Sequence, residues 1–89
     1  MININKDKLP LKYLIDFTVI NPTIEDLMYE IIVIMNDKNE DTINNWEITN
    51  KTKTRINENI NNDIELLIEK GYLAKDKYKK LKLLNNPFK

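Results

Sequence analysis

An apolar stripe in the second half of the chain, closed by its only glycine, is the feature that most constrains the fold. The stripe has helical spacing and consists of Ile56, Ile60, Ile64, Leu67 and Ile68. Thr52 or Thr54 can accept hydrogen bonds from the first free N–H groups of such a helix. Gly71 follows the last turn, where a left-handed residue needs no Cβ. The pattern therefore predicts a helix over about residues 52–70.

The residues after Gly71 have the pattern of a small hairpin. Tyr72 and Leu73 begin an extended run, and Asp76-Lys77 is typical of a turn. Lysine then alternates with apolar residues over 79–84. We expect a basic β-hairpin over about residues 72–84.

A second helix pattern lies upstream. Thr23 and Asp26 have the spacing of a capping box, and acidic residues favour the positive end of a helix. An apolar face follows, formed by Ile24, Leu27, Met28, Ile31, Ile32 and Met35. This helix is expected to end near Asn36-Asp37. Before it, residues 9–20 are strongly apolar, and their spacing fits either a short helix or a strand.

A helix that ends Leu-Ile-Glu-Lys-Gly-Tyr-Leu over 67–73, followed by a basic hairpin, resembles the recognition helix and wing of winged helix-turn-helix proteins. The resemblance covers about residues 23–84. It implies one winged-helix domain over 1–89, mainly α with a small β-hairpin (α+β), with 1–20 as an N-terminal arm. It also implies a short second helix within 42–49, capped by Thr42, with Trp46 packed between helices.

The composition argues against catalysis and cofactors. The chain has no Cys, His, Ser or Gln, so it lacks the residues of nucleophilic triads and of most zinc sites. One glycine cannot build a phosphate-binding loop. We expect no enzyme activity, no metal and no cofactor. No long apolar run or cleavable leader is present, so we expect a cytoplasmic protein without a membrane partner.

Charge is divided unevenly along a chain of zero net charge. Residues 1–50 carry 4 basic and 9 acidic side chains, for −5, and residues 51–89 carry 10 basic and 5 acidic, for +5. A basic half is the electrostatic footprint of a protein that binds a phosphate backbone. Codon bias toward lysine in an AT-rich genome is the alternative explanation.

The resemblance and the charge together predict sequence-specific binding to double-stranded DNA. Arg and Asn can read guanine and adenine, and lysines can hold phosphates. The expected DNA-binding residues are Lys51, Lys53, Thr54, Arg55, Asn57, Asn61, Lys75, Lys77, Tyr78, Lys79 and Lys80. The family includes small transcriptional regulators and plasmid or phage proteins, such as centromere-binding adaptors of the TubR type. The alternative is a winged helix that binds only protein, as a complex subunit or a phage-encoded inhibitor.

A second copy of the chain is also an expected partner. Operators and centromere repeats are read by paired recognition helices, and a chain of this length buries little surface alone. The residues expected at a homodimer interface are Leu9, Leu11, Leu14 and Phe17. A partner protein in a segregation or transcription complex is a further possibility.

Overall fold

The structure, a computed structural model, describes residues 2–9 and 22–89. Within these ranges the chain is a small α+β domain with three α-helices and a three-stranded antiparallel sheet. The helices are α1 (Ile24–Lys38), α2 (Asn45–Lys51) and α3 (Ile60–Glu69). The strands are β1 (Thr42–Ile43), β2 (Leu73–Lys75) and β3 (Leu81–Leu83), and a short 3-10 helix covers Lys6–Lys8.

Helix α1 begins as its sequence predicts. The Thr23 hydroxyl accepts a hydrogen bond from the Asp26 amide at 3.3 Å, and the Asp26 carboxylate accepts one from the Thr23 amide at 2.7 Å. The helix ends at Lys38, slightly later than expected, because Asn39 takes a left-handed conformation with φ of 56°. Its apolar face supplies about half of the buried core.

The sheet has the order β1-β3-β2, so the last strand lies in the middle. Ile43 pairs with Leu81, and Leu73 pairs with Leu83. The buried side chains of Ile43, Leu73 and Leu81 lie on the face of the sheet that packs against α1 and α3. The buried apolar residues are Ile24, Leu27, Met28, Ile31, Ile32, Met35, Ile43, Ile48, Ile64, Leu67, Leu73, Leu81 and Phe88.

The predicted start of α2 at Thr42 is wrong, because Thr42 and Ile43 form a strand against β3. The helix begins after Asn44, whose amide donates to Glu47 Oε1 at 3.1 Å. The same oxygen accepts from Lys38 Nζ at 2.8 Å, and this bond ties α2 to α1. Burial disfavours charge on both groups, but their hydrogen bond, their mutual attraction and neighbouring groups together outweigh it. The pKa of Lys38 is therefore raised and the pKa of Glu47 is lowered.

The predicted length of the third helix is also wrong. α3 begins at Ile60 behind the cap residue Asn59, and residues 52–59 form a non-helical connection. Its predicted end is confirmed, since Gly71 has φ of +79° and its amide donates to the Ile68 carbonyl at 3.0 Å. The predicted hairpin after Gly71 is confirmed as β2 and β3.

Both ends of the described chain pack on the domain instead of fraying. Phe88 is 2% exposed and meets the Tyr29 ring edge to face, with centroids 5.8 Å apart. The Asn5 amide donates to the Phe88 carbonyl at 2.6 Å. The Ile2 amide donates to Asn36 Oδ1, and Asn36 Nδ2 donates to the Ile2 carbonyl. Residues 85–89 are therefore attached to the domain through Phe88.

Candidate nucleic-acid interface

The turn between β2 and β3, residues 76–80, is closed by the side chain of Asp76. Its Oδ1 accepts from the amides of Tyr78 at 2.8 Å and Lys80 at 2.9 Å. The Asp76 amide donates to the Lys80 carbonyl at 2.8 Å. This turn, with the two strands that it joins, is called the wing below.

The wing carries a dense group of lysines. Its basic residues are Lys75, Lys77, Lys79, Lys80 and Lys82. Lys75 lies 3.9 Å from the Glu65 carboxylate, and both side chains are largely exposed. Within residues 2–9 and 22–89, the other four lysines form no ion pair with a carboxylate. The wing is therefore a positively charged projection with cations available to an anionic partner.

Two features distinguish the tip of the wing. Tyr78 is 76% exposed, and Lys77 Nζ lies 5.1 Å from the centroid of its ring. Lys79 has φ of 63°, a left-handed conformation that disfavours a side chain with a Cβ. An aromatic ring and a lysine thus stand side by side on a tightly bonded turn.

In the connection between α2 and α3, residues 52–59, many polar groups are hydrogen-bonded to other groups of the protein. The Arg55 guanidinium donates to the Thr49 carbonyl at 2.7 Å, to the Thr54 carbonyl at 2.9 Å and to the Thr52 hydroxyl at 2.9 Å. Thr54 is 4% exposed, and its hydroxyl has no hydrogen-bond partner among the described residues. Three of the five N–H donors of Arg55 are thus used within the protein, and the Thr54 side chain is buried. Contacts of these two residues with DNA stay a prediction.

Two carboxylates from neighbouring helices hold this connection. Glu30 of α1 accepts from the amides of Lys53 at 3.1 Å and Thr54 at 3.0 Å. Asp63 of α3 is fully buried and accepts from the amides of Ile56 and Asn57, each at 2.9 Å.

The side chain of Asn57 is engaged there as well. Its Nδ2 donates to Asp63 Oδ1 at 2.8 Å. Four backbone amides of the connection, at residues 53, 54, 56 and 57, are thus occupied by the protein's own carboxylates.

The solvent face of α3 is polar but not basic. Asn61 and Asn62 are exposed in its first turn, where the predicted recognition helix would meet DNA. Glu65 and Glu69 are exposed further along. Beyond the C-terminal end of α3, the Tyr72 hydroxyl lies 3.0 Å from the Glu25 carboxylate. Burial and this hydrogen bond raise the pKa of Tyr72. Only the beginning of α3 thus offers neutral hydrogen-bonding groups to a nucleic acid.

Trp46 is a surface residue that the sequence analysis assigned wrongly to the core. It is 58% exposed, and Lys51 Nζ lies 5.6 Å from its ring centroid. Asn44 and Glu47 have the spacing of a capping box, which was the signal for a helix start at Asn44. At about 100° per residue, Trp46 then lies nearly opposite the buried Ile48.

The remaining predicted residues divide between described and undescribed parts. Lys51 and Lys53 are exposed beside the start of the connection. Leu9 is half-buried and packs against the core. Leu11, Leu14 and Phe17 lie outside the described residues, so homodimerisation through them stays a prediction.

Comparisons with protein-family models, with characterised proteins and with solved structures found no match to this chain. Among the helices that the structure describes, none has the length and apolarity needed to cross a membrane. In the same ranges, no three acidic side chains gather into a group that could hold a metal ion.

Proposed function

We propose that this protein is a winged helix-turn-helix domain that binds double-stranded DNA, with the wing as its main phosphate contact. The observation that carries the proposal is the projection of lysines on the wing, most of them without a carboxylate partner among the described residues. Phosphate contacts of this kind supply most of the affinity in many protein–DNA complexes.

The order of elements supports the same proposal. Helix, strand, helix, helix and hairpin follow one another, and the first strand pairs with the second strand of the hairpin. This arrangement is compatible with a winged helix. In that family the third helix enters the major groove with its N-terminal end, which here exposes Asn61 and Asn62. Asn side chains can pair with adenine in that groove.

The distribution of charge assigns different roles to the two elements. The wing supplies cations, whereas α3 supplies neutral amides and, toward its far end, the carboxylates of Glu65 and Glu69. We therefore assign affinity to the wing and base selection to the first turn of α3. The biological roles that fit are a small transcriptional regulator or a DNA-segregation protein of a plasmid or phage, acting in the cytoplasm.

The test is the salt dependence of binding to a random duplex. Lys77→Ala and Lys79→Asn are combined, because asparagine tolerates the left-handed backbone of residue 79. If each lysine neutralises one phosphate, the slope of log affinity against log salt becomes shallower by roughly 2. Fluorescence anisotropy at several salt concentrations measures this slope.

The matched control removes two lysines elsewhere. Lys6 and Lys8 are exposed on the 3-10 helix, so Lys6→Ala with Lys8→Ala makes the same change in net charge. We expect this pair to change the slope by much less. Equal effects of the two pairs, or no duplex binding by the unaltered protein at low salt, would contradict the proposal.

A second candidate function is recognition of a protein partner. It is favoured by Trp46, since an exposed tryptophan is a frequent anchor of protein interfaces. The carboxylates along α3 would also repel DNA while accepting a basic partner. Failure of duplex binding together with a stable protein complex lost on Trp46→Ala would favour this second function.

A further inference from the structure

The tip of the wing carries an exposed aromatic ring, which a continuous duplex has no base face to contact. The ring of Tyr78 is 76% exposed, and its hydroxyl has no hydrogen-bond partner among residues 2–9 and 22–89. Single exposed apolar side chains are common on proteins. Tyr78 differs from them because it stands on a tightly bonded turn, between Lys77 and Lys79.

The hydrogen bonds of the turn hold the backbone that carries the Tyr78 ring. The Tyr78 amide is bonded to Asp76 Oδ1, and the same oxygen holds the amide two residues later. Lys79 keeps a strained left-handed conformation directly after the ring. Because the backbone under the ring is already held, binding a partner does not require the turn to become ordered, and that part of the contact is preorganised.

The chemistry of the tip matches a nucleic-acid base with its phosphates. Flat aromatic rings stack on bases, and lysines beside them hold the backbone; together they are typical of proteins that bind unpaired nucleic acid. In a continuous duplex the base faces are covered by their neighbours, and the grooves expose only base edges. Inserting a ring between paired bases requires unstacking, which costs a few kcal/mol per step.

We propose that Tyr78 stacks on an unpaired base, so that the protein prefers DNA with a local break in pairing over continuous duplex. The inference rests on the proposed DNA binding by the wing and names the form of DNA that the wing selects. The neighbouring lysines Lys77, Lys79 and Lys80 would contact the phosphates that flank this base.

The experiment compares three probes that share one duplex sequence. The first is fully paired, the second has one unpaired adenine in the middle, and the third has an abasic residue at that position. We expect the unaltered protein to bind the second probe on the order of ten-fold more tightly than the other two. A 2-aminopurine at the unpaired position should change its fluorescence when it stacks on the ring.

Three variants separate stacking from other effects. Tyr78→Phe keeps the flat ring and should keep the preference for the unpaired adenine. Tyr78→Leu keeps apolar bulk without a ring and should bind the unpaired probe no more tightly than the paired one. Trp46→Leu removes the other exposed aromatic ring and should behave like the unaltered protein.

The outcomes distinguish this inference from the proposed function. Equal binding of the paired and unpaired probes by the unaltered protein overturns the inference and leaves duplex binding intact. A preference that survives Tyr78→Leu, or that disappears in Trp46→Leu, overturns the assignment to Tyr78. Binding to none of the probes overturns both proposals.

Discussion

The connection between α2 and α3 and the turn of the wing are both short and polar, yet their polar groups are bonded differently. In the connection, Arg55 donates two hydrogen bonds within the loop and one to Thr49 of α2. Glu30 and Asp63 accept hydrogen bonds from backbone amides of the connection. In the wing, only Asp76 closes the backbone. The lysines around it remain exposed or half-exposed.

The difference shows that residue type does not tell whether a polar group is available for binding. The buried and half-buried polar groups of the connection need partners within the protein, because an unpaired buried polar group is costly. An exposed hairpin turn needs only enough internal bonds to fix its shape. Polar residues in the connection therefore stabilise the fold, whereas those in the wing can act on a partner.

The sharpest test of this comparison replaces one loop-binding carboxylate in each region with alanine, Asp63 for the connection and Asp76 for the wing. Asp63→Ala leaves the amides of Ile56 and Asn57 without their acceptor and should lower the free energy of unfolding by roughly 2–3 kcal/mol. Asp76→Ala acts in an exposed turn and should cost about 1 kcal/mol or less. Urea denaturation followed by circular dichroism measures both. Similar losses in the two variants would remove the distinction between the loops.

Two threonines inside the connection provide a smaller test. The Thr52 hydroxyl donates to the Ile48 carbonyl at 2.6 Å and accepts from Arg55, so Thr52→Val should cost about 1 kcal/mol. The Thr54 hydroxyl is buried without a partner among the described residues. Thr54→Val should therefore leave the free energy of unfolding unchanged or raise it slightly. A larger loss from Thr54→Val than from Thr52→Val would show that the bonding inside the connection is assigned wrongly.

The smallest expected effect concerns the strained residue of the wing. Lys79→Gly should raise the free energy of unfolding by up to about 1 kcal/mol, because glycine adopts positive φ without strain. Lys80→Gly is the matched control, and it should lower stability slightly, since Lys80 is not among the residues with positive φ. Thermal melting of the two variants compares them. A lower melting temperature for Lys79→Gly than for Lys80→Gly would argue against strain at the tip.

Local signals in the sequence predicted several parts of the fold correctly. The capping pair Thr23 and Asp26, the single glycine at 71 and the alternation that follows it each act over a few residues. Each was confirmed because such signals are decided by the local backbone. The sheet partner of Thr42 was missed, since it depends on residues near position 82.

The connection shows why the extent of α3 was predicted less well than the hairpin. The spacing of Ile56 and Ile60 continues the helical stripe, so periodicity extends the helix through residues that are not helical. The contacts that prevent helix formation come from Glu30, more than twenty positions away, and from the fully buried Asp63. Trp46 was misassigned for a related reason: its helix starts later than expected, so the ring faces outward.

The position of β3 and Phe88 has a consequence for the order of events during synthesis. β1 has no strand partner until residues 81–83 have been made, and the Tyr29 ring lacks its edge-to-face contact until Phe88 follows. α1 and the connection are therefore synthesised before the strand and the aromatic ring that complete the core. The core of the domain therefore cannot close until β3 and Phe88 have both been added, so α1 and α3 fold together with this late segment and not one after another.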